Sequence, residues 1–244
     1  MKSRNSICVI SVNKDNKKDL VKTLSSVNKQ IIKPDLHLVI VKKIDRNTLS
    51  KFKKNYRKFI IGEDNSLYNA MNIGLKNSWD HNIVFLNGGD IFYNNQSISN
   101  IKKNIGEKKN CLIFKTILKY KKKIYYPKQL YFNSNNYLPH PSFVRPPVPK
   151  NKKKIYFTEN NRIGSDGEWM RLNINKFNHK KINNIISVHY LGGISTNPTL
   201  QTLLKKIQES FFIFSLELLK FFIKLFFGQK NYYSIIYFFK FYNK

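Results

Sequence analysis

Short runs of β-branched and other apolar residues alternate along the chain with segments whose apolar residues recur at helical spacing. Ile7–Val12 and Leu36–Val41 are two such runs, and both are typical of buried parallel strands. The helical spacing between them is set by Leu20, Val21, Leu24 and Val27. This pattern predicts a β-α-β opening, and an open parallel sheet binds ligands at the carboxyl ends of its strands. Ser11 and Asn13 lie at such an end, so they are candidate ligand-binding residues.

The same alternation continues as far as residue 90. Phe59–Ile61 is predicted as a short strand and Leu67–Leu75 as a helix. Ile83–Leu86 is the strongest apolar run of the first half, and it leads directly into the turn Asn87-Gly88-Gly89-Asp90. A carboxylate is therefore expected at the tip of a turn that follows a buried strand.

The second half of the chain departs from strict parallel winding. Cys111–Lys119 and Ile124–Tyr126 are predicted as the two strands of a hairpin. Ser165–Ile174 is predicted as a helix with Asp166 in its first turn, and Ile182–Val188 as a further strand. Together with the first half, these elements predict an α/β fold with an open, mostly parallel sheet flanked by helices.

The chain is strongly basic, because 44 lysines and arginines against 14 acidic residues give its 244 residues a formal net charge of +30. Aromatic residues make up 14% and hydrophobic residues 41%, which excludes a disordered basic tail. Basic residues interleaved with tyrosine and phenylalanine would suit nucleic acid. However, lysine, asparagine, isoleucine, phenylalanine and tyrosine are elevated together, as an AT-rich genome produces. We therefore expect a general affinity for anionic surfaces, and a basic nucleic-acid-binding protein is an alternative.

The two cysteines, Cys8 and Cys111, are too few for a disulfide scaffold or a four-thiolate zinc site. Both lie in apolar strands, so we expect them to be inert core residues. The apolar run Ile7–Val12 is too short for the core of a signal peptide and leads directly into structured sequence. These features predict a cytoplasmic protein.

The last part of the chain changes in character. Phe211–Phe227 is almost entirely phenylalanine, leucine and isoleucine, but Glu217, Lys220 and Lys224 interrupt it on one helix face. This pattern predicts an amphipathic helix in a membrane interface, on the inner face of the plasma membrane. The aromatic residues of Tyr232–Tyr242 would lie at the level of the headgroups. The alternatives are packing on the same domain or on the partner in a homodimer, and a true membrane span.

The turn Asn87-Gly88-Gly89-Asp90 is a candidate metal site. Mg²⁺ and Mn²⁺ prefer oxygen ligands and often bind one or two carboxylates together with substrate phosphates. Asp90 offers one carboxylate, and the two glycines allow a ligand to approach the backbone. Gly-Gly-Asp is also a common turn sequence, so an ordinary turn is the alternative.

Longer motifs around this turn resemble those of the family 2 glycosyltransferases. The two central motifs are Gly62–Gly74, with the sequence GEDNSLYNAMNIG, and Ile83–Asp90, with the sequence IVFLNGGD. They are similar to motifs of the bacterial branch that builds exopolysaccharide and O-antigen. Further segments that resemble the family, in the same order along the chain, are Ser11–Asn13, Thr23–Val27, His140–Arg145, Ser165–Leu172 and Leu191–Ser195.

This resemblance implies a GT-A fold, which we assign to residues 1–196, and residues 197–244 are then the amphipathic, membrane-associated helical tail predicted above. The resemblance implies transfer of a sugar, with inversion, from a nucleotide-diphospho-sugar to a hydroxyl of a saccharide in surface polysaccharide synthesis. Because the tail would hold the enzyme at the membrane surface, we expect this saccharide to be lipid-linked. Asp166 would be the catalytic base, and Asp90 would bind Mg²⁺ or Mn²⁺. The expected donor-binding residues are Ser11, Asn13, Asp64, Asn72, Asn87 and His140.

The chain departs from the family pattern in several places. Where relatives carry an acid at the end of the second strand, it has Val41-Lys42-Lys43-Ile44-Asp45, so either Asp45 takes that role or the contact is missing. Asn69 and Ser66 replace an aspartate and a glycine of the central motif. A catalytically degenerate, membrane-bound relative is therefore an alternative to an active enzyme.

Several of these residues also have a purely structural interpretation. Asp64, which the resemblance places at the nucleoside, could cap the helix Leu67–Leu75, and Asp166 could be a first-turn acid favoured by the helix dipole. His140 could be a buried, hydrogen-bonded loop residue. His189 lies at the end of a predicted strand, where it could contact a metal ion or a phosphate.

Overall fold

The computed structural model describes residues 5–14, 16–62, 66–133, 140–159, 164–192, 211–238 and 240–243. The described residues form two compact units. Unit 1 draws on residues 1–116, 138–161 and 165–189, and unit 2 on residues 117–137, 162–164 and 190–244. The predicted domain boundary at residue 196 lies outside the described residues and stays a prediction.

Strands and helices alternate along most of the chain. The strands are β1 (Ile7–Asn13), β2 (Leu36–Val41), β3 (Arg57–Ile61), β4 (Asn82–Phe85), β5 (Ile91–Phe92), β6 (Cys111–Tyr120), β7 (Lys123–Pro127), β8 (Phe143–Arg145), β9 (His179–Tyr190) and β10 (Phe241–Asn243). The helices are α1 (Lys17–Asn28), α2 (Arg46–Phe52), α3 (Leu67–Lys76), α4 (Ser97–Asn104), α5 (Gln129–Asn133), α6 (Ser165–Phe177) and α7 (Phe211–Tyr237).

Unit 1 is built on a mixed, mostly parallel sheet, as predicted. Its strands follow the order β3-β2-β1-β4-β8-β6, and β9 pairs with β5 and β6. Strand β1 is parallel to its neighbours β2 and β4, and β2 is parallel to β3, whereas β8 is antiparallel to β4 and β6. All seven residues of β1 are buried, which explains its unbroken apolar run. The winding direction reverses between β1 and β4, and open α/β sheets bind ligands at the carboxyl ends of strands at such a point.

Helices α1, α3 and α6 occupy the segments predicted from helical spacing. The N-cap of α3 is Ser66, whose hydroxyl accepts a hydrogen bond from the backbone N–H of Asn69 at 3.1 Å, so the prediction that Asp64 caps this helix is wrong. Asp64 itself lies outside the described residues. Helix α2 was not predicted, because its seven mostly polar residues show no helical period; its N-cap is Asp45.

The two cysteines are buried in the core of unit 1, as expected. Burial raises the pKa of Cys8 and of Cys111 to about 12. Neither side chain therefore forms a reactive thiolate at neutral pH.

Unit 2 has a core of aromatic rings. The end of β6 pairs with β7 as the predicted antiparallel hairpin, and β10 pairs with the other side of β7. Tyr233 is fully buried, and the centroid of its ring lies 4.5 Å from that of Tyr120. Tyr232 and Phe241 are also buried. The prediction that this segment forms an interfacial aromatic patch is therefore wrong for these residues, which form a protein core instead.

Helix α7 is interrupted at Gly228, whose φ of 69° lies in the left-handed region that favours glycine. Among the side chains described between residue 218 and this break, the exposed ones are apolar: Leu219, Phe222, Leu225, Phe226 and Phe227. Lys220 and Lys224 are half-buried, and the side chain of Glu217 lies outside the described residues. In the part of the chain that the structure describes, no helix combines the length and the hydropathy needed to cross a membrane.

Candidate functional site

The turn that follows β4 holds Asp90 in a buried position, with 5% of its surface exposed. Thr23, on α1, fastens this turn. Its hydroxyl lies 2.7 Å from the carbonyl oxygen of Asp90 and 3.2 Å from that of Asn87, and it accepts a hydrogen bond from the N–H of Gly89 at 3.0 Å. One side chain of α1 therefore bonds to three of the four residues in the turn.

The same turn packs closely against the end of β1. A Cβ atom at Gly88 would lie 2.2 Å from Oδ1 of Asn13, so a larger residue would displace Asn13. Gly89 has a φ of 98°, which few other residues adopt. Local geometry thus requires both glycines, and it places Asn13 directly against the turn.

Asp90 is paired with His189. Nδ1 of His189 lies 2.8 Å from Oδ1 of Asp90. The antiparallel pairing of β5 with β9 explains this contact. Val188 is opposite Ile91 in the register of the two strands, so the adjacent residues, His189 and Asp90, also face each other. Burial lowers the pKa of His189, but the charge of Asp90, the hydrogen bond to it and the charge of Asp166 outweigh burial, so this pKa lies above its ordinary value.

His140 belongs to the same cluster. Its ring lies beside that of Phe85, the last residue of β4, with the centroids 5.6 Å apart. Nε2 of His140 is buried and has no hydrogen-bond partner among the described residues. Burial lowers the pKa of His140, while the charges of Asp166 and Asp90 act in the opposite direction. The charges of Asp90 and Asp166 thus act on both imidazoles, and the contact with Phe85 places His140 beside the strand that leads into the turn.

Aromatic packing positions the start of α6, where Asp166 lies. The ring of Trp169 stacks on that of Phe157 at 4.7 Å and meets the ring of Phe85 edge-on at 5.6 Å. Asp166 is half-buried, and its Oδ1 accepts a hydrogen bond from the N–H of Gly167 at 3.0 Å. The hydrophobic core of unit 1 therefore fixes the helix that carries Asp166 beside the end of β4.

Asn72 holds the segment that precedes α6. Its amide nitrogen donates to the carbonyl oxygen of Phe157 at 3.0 Å and to Oε1 of Glu159 at 2.9 Å, and its Oδ1 accepts from the N–H of Phe157 at 2.8 Å. Asn69 donates to Oε2 of Glu159 at 3.1 Å. The side chain of Asn72 is thus engaged within the protein, and its contact with a donor stays a prediction.

Ser11 faces the interior of the sheet. Its hydroxyl lies 3.0 Å from Nε2 of His37, and both residues are fully buried. Nδ1 of His37 accepts a hydrogen bond from Nε of Arg57 at 2.9 Å, so Nε2 carries the proton and donates to Ser11. Arg57 also donates to Oδ1 of Asn28 at 2.9 Å. Ser11 therefore belongs to a buried polar network, and its predicted contact with the donor stays a prediction.

The ends of β1 and β2 line an open cavity of about 360 Å³, a volume typical of small-molecule sites. Asp45 lies in its wall and caps α2. Oδ1 of Asp45 accepts from the N–H of Thr48 at 2.9 Å, and Oδ2 accepts from the Thr48 hydroxyl at 2.7 Å and from Nζ of Lys17 at 3.1 Å. The hydrogen bonds from Thr48, followed by that from Lys17, lower the pKa of Asp45 to about 2. Both oxygens of this carboxylate are thus engaged within the protein.

Asp90 fits Mg²⁺ or Mn²⁺ as a partial site, because both ions prefer oxygen ligands, and the imidazole of His189 beside it is a ligand that transition-metal ions accept more readily than Mg²⁺ does. Among the residues that the structure describes, no group of three or more His, Cys, Asp or Glu side chains could hold a metal ion. Sites with few protein ligands are commonly completed by substrate phosphates and water. Oδ1 of Asn87, in the same turn, is a further buried polar atom with no partner among these residues.

The sequence matches no family profile and no curated protein. Solved structures share its fold. TarS 1-349 from S. aureus, in complex with UDP-GlcNAc, superposes with a TM-score of 0.61 at 14% identity; the match covers 88% of this chain and 66% of that one. The mannosyltransferase PcManGT from Pyrobaculum calidifontis, in complex with GDP-Man and Mn²⁺, gives 0.55 at 10% identity, over 85% and 61%.

GalNAc-T7 with UDP, GalNAc and Mn²⁺ gives a TM-score of 0.51 at 12% identity, over 85% of this chain and 48% of that one. This chain thus spans between about half and two thirds of the length of these proteins. All three are glycosyltransferases of the GT-A fold. The likeness confirms the predicted fold: this chain has the mixed α/β GT-A architecture.

Proposed function

We propose that the protein is a glycosyltransferase that moves a sugar, with inversion, from a nucleotide-diphospho-sugar to a hydroxyl group of a saccharide. The observation that carries this proposal is the arrangement beside the end of β4, where Asp90 pairs with His189, His140 lies against Phe85, and Trp169 packs the helix of Asp166 on the same phenylalanine. It combines a pair suited to a cation with a separate candidate base, at the point where open sheets bind ligands. UDP-GlcNAc and GDP-Man in structures of the same fold support a sugar nucleotide as the donor.

Asp166 is the proposed catalytic base. Its carboxylate takes the proton of the acceptor hydroxyl, and the hydroxyl oxygen attacks the anomeric carbon from the face opposite the leaving group. The new C–O bond forms as the bond to the diphosphate breaks, and the electron pair of that bond leaves with the nucleoside diphosphate. One base is sufficient for this inverting reaction, whereas a double displacement needs a second carboxylate as nucleophile.

Asp90 and His189 are the residues that would hold Mg²⁺ or Mn²⁺. A divalent ion supplies positive charge that stabilises the leaving diphosphate. His189 would bind such an ion as the neutral imidazole, through the ring nitrogen that carries no proton. Mn²⁺ in the complexes of PcManGT and GalNAc-T7 supports this assignment.

The proposed acceptor is a lipid-linked saccharide of a surface polysaccharide, reached from the cytoplasmic face of an anionic membrane. Helix α7 supports this location. Leu219, Phe222 and Phe226 follow one another at intervals of three and four residues, which places them on one side of the helix, and they are 44 to 77% exposed. Lys220 and Lys224 lie in the same segment of a chain with a net charge of +30. Exposed apolar side chains and nearby lysines suit the interface of an anionic leaflet.

A thermal-shift screen with UDP-, GDP-, CMP- and dTDP-sugars, with and without Mn²⁺, tests the donor. A ligand that binds the native state raises the melting temperature by mass action. Asp90→Ala should abolish the part of the shift that depends on Mn²⁺. The absence of a shift with every sugar nucleotide would contradict the proposal, and salt-sensitive binding to any DNA in its place would favour a nucleic-acid-binding protein.

Donor hydrolysis tests the base. Asp166→Asn should keep the donor-induced shift and lower turnover by about 10²- to 10⁴-fold, as is typical when a general base is lost. Glu168→Gln is the matched control, because Glu168 shares the first turn of α6 and its dipole. Equal losses of turnover in both variants would mean that Asp166 acts only as an acid in the first turn of the helix and not as the base. A wild-type protein that binds donors but never turns them over would be a degenerate relative.

A further inference from the structure

The cavity at the ends of β1 and β2 carries a positive charge that the proposed reaction does not use. Lys17 and Lys43 are its basic lining residues, and Asp45 is its one acidic lining residue. Because Asp45 pairs with Lys17 and accepts two hydrogen bonds from Thr48, its charge is balanced within the protein. Lys43 has no carboxylate partner among the described residues. Lys43 is therefore the basic lining residue that can donate hydrogen bonds to a ligand without first breaking an ion pair.

The place of Lys43 in the sheet separates it from the turn that carries Asp90. Strand β2 is adjacent to β1, and β1 is adjacent to β4, so the end of β2 is two strand spacings, about 10 Å, from the strand before that turn. Asn13 joins the two regions, because it lines the cavity and contacts the turn at Gly88. One ligand can thus extend from the turn past Asn13 into the cavity. With its diphosphate at Asp90, the part that reaches Lys43 is the nucleoside.

We propose that Lys43 binds a carbonyl oxygen of the nucleobase, so that the cavity selects sugar nucleotides whose base presents such an acceptor. This inference rests on the proposed function, because it takes the ligand to be a nucleotide-diphospho-sugar. A lysine donates hydrogen bonds and accepts none, so it favours the carbonyl oxygens of uracil, thymine, cytosine or guanine over adenine, which has no carbonyl. Leu20 and Ile44 supply apolar lining for the base.

Ligand-observed NMR titrations of the full chain with uridine, UMP and UDP, without Mn²⁺, test this contact. Lys43→Ala should weaken all three affinities by the same factor, about fivefold, the size of an exposed charged contact. Lys42→Ala is the matched control, because it removes the same charge from the neighbouring residue, which does not line the cavity. This control should leave the three affinities unchanged.

Three results would overturn the assignment. A loss that grows from uridine to UMP to UDP would place Lys43 at the phosphates, and unchanged affinities in the Lys43 variant would remove it from the site. ADP binding to the wild type as tightly as UDP would show that the base carbonyl is not recognised. If the wild type binds neither these ligands nor any sugar nucleotide of the thermal-shift screen, the proposed function itself fails, whereas wild-type binding that Lys43→Ala leaves unchanged overturns this inference alone.

Asp45→Asn is a second variant, which should strengthen nucleotide binding where Lys43→Ala weakens it. Asparagine caps helices as well as aspartate does, so α2 keeps its N-cap. The change removes the negative charge that balances Lys17, so UDP should bind about two- to fivefold more tightly. Weaker binding of uridine would instead identify Asp45 as the group that holds the nucleoside, and would overturn the role of Lys43.

Discussion

Thr23→Val tests whether one side chain of α1 holds the turn that carries Asp90. The Thr23 hydroxyl bonds to the carbonyl oxygen of Asp90 at 2.7 Å and to the N–H of Gly89 at 3.0 Å, and Thr23 is fully buried. Valine has nearly the same shape but makes neither bond. Removing buried hydrogen bonds in this way costs about 2 kcal/mol, which should lower the melting temperature of a chain of this length by about 4–8 °C.

The larger expected effect of this variant concerns the cation. Without the Thr23 hydroxyl, the turn no longer fixes Asp90 against His189, 2.8 Å away. Changes to groups that orient metal ligands lower metal affinity by about 10- to 100-fold. Isothermal titration should therefore show at least about tenfold weaker binding of UDP with Mn²⁺. UDP without Mn²⁺ should bind as it does to the wild type, because Thr23 does not line the cavity between β1 and β2.

Ser97→Ala is the matched control for this variant. Ser97 is fully buried, and its hydroxyl donates to the carbonyl oxygen of Asn94 at 3.2 Å, at the start of α4. This change also removes a buried hydroxyl, so it should lower the melting temperature while leaving the affinity for UDP with Mn²⁺ unchanged. Equal affinities in the Thr23 and Ser97 variants would refute the argument that Thr23 positions Asp90.

Two further predictions concern a buried histidine and the tail. Burial and the charge of Arg57 hold the pKa of His37 well below its ordinary value, so below about pH 6.5 the unfolded chain binds a proton that the folded chain does not. For this reason, urea unfolding should show about 2 kcal/mol less stability at pH 5 than at pH 7. The same pH dependence of stability in His37→Gln would contradict this assignment. Replacing Phe222 and Phe226 together by serine should abolish flotation of the protein with anionic liposomes at low salt. The control Leu130→Ser removes an exposed leucine from α5 and should leave flotation unchanged. Flotation of the double variant would count against α7 as the docking surface.

The central strands could be predicted because burial on both faces leaves a direct trace in the sequence. Leu36–Val41 was predicted with the bounds of β2, and Ile7–Val12 differs from β1 by one residue. The turn at Asp90 was predictable for a related reason, since a polar, glycine-containing segment interrupts an apolar run. Both signals come from residues that are adjacent in the sequence, so the pattern of apolar and polar residues contains them.

The contacts that complete the site leave no comparable trace. Thr23 is 67 residues from Asp90 in sequence, and Asn72 is 87 residues from Glu159. A threonine in an amphipathic helix and a glutamate in an irregular segment are ordinary features by themselves. His189 faces Asp90 because β9 pairs with β5, and a two-residue strand such as β5 has too few residues to show a period. Sequence patterns thus predict where the ligands of a site lie along the chain better than they predict what holds them.

The tail shows why composition alone could not separate a surface from a core. Tyr232 and Tyr233 are as aromatic as Phe222 and Phe226, yet the two tyrosines are buried and the two phenylalanines are exposed. The difference comes from contacts with β6 and β7, because Tyr233 packs against Tyr120 and the hydroxyl of Ser234 accepts a hydrogen bond from Lys123 at 3.0 Å. Deleting the whole tail would therefore remove part of the core of unit 2 together with the exposed apolar side chains of α7. Substitutions confined to those exposed side chains are the changes that can test membrane docking without unfolding the protein.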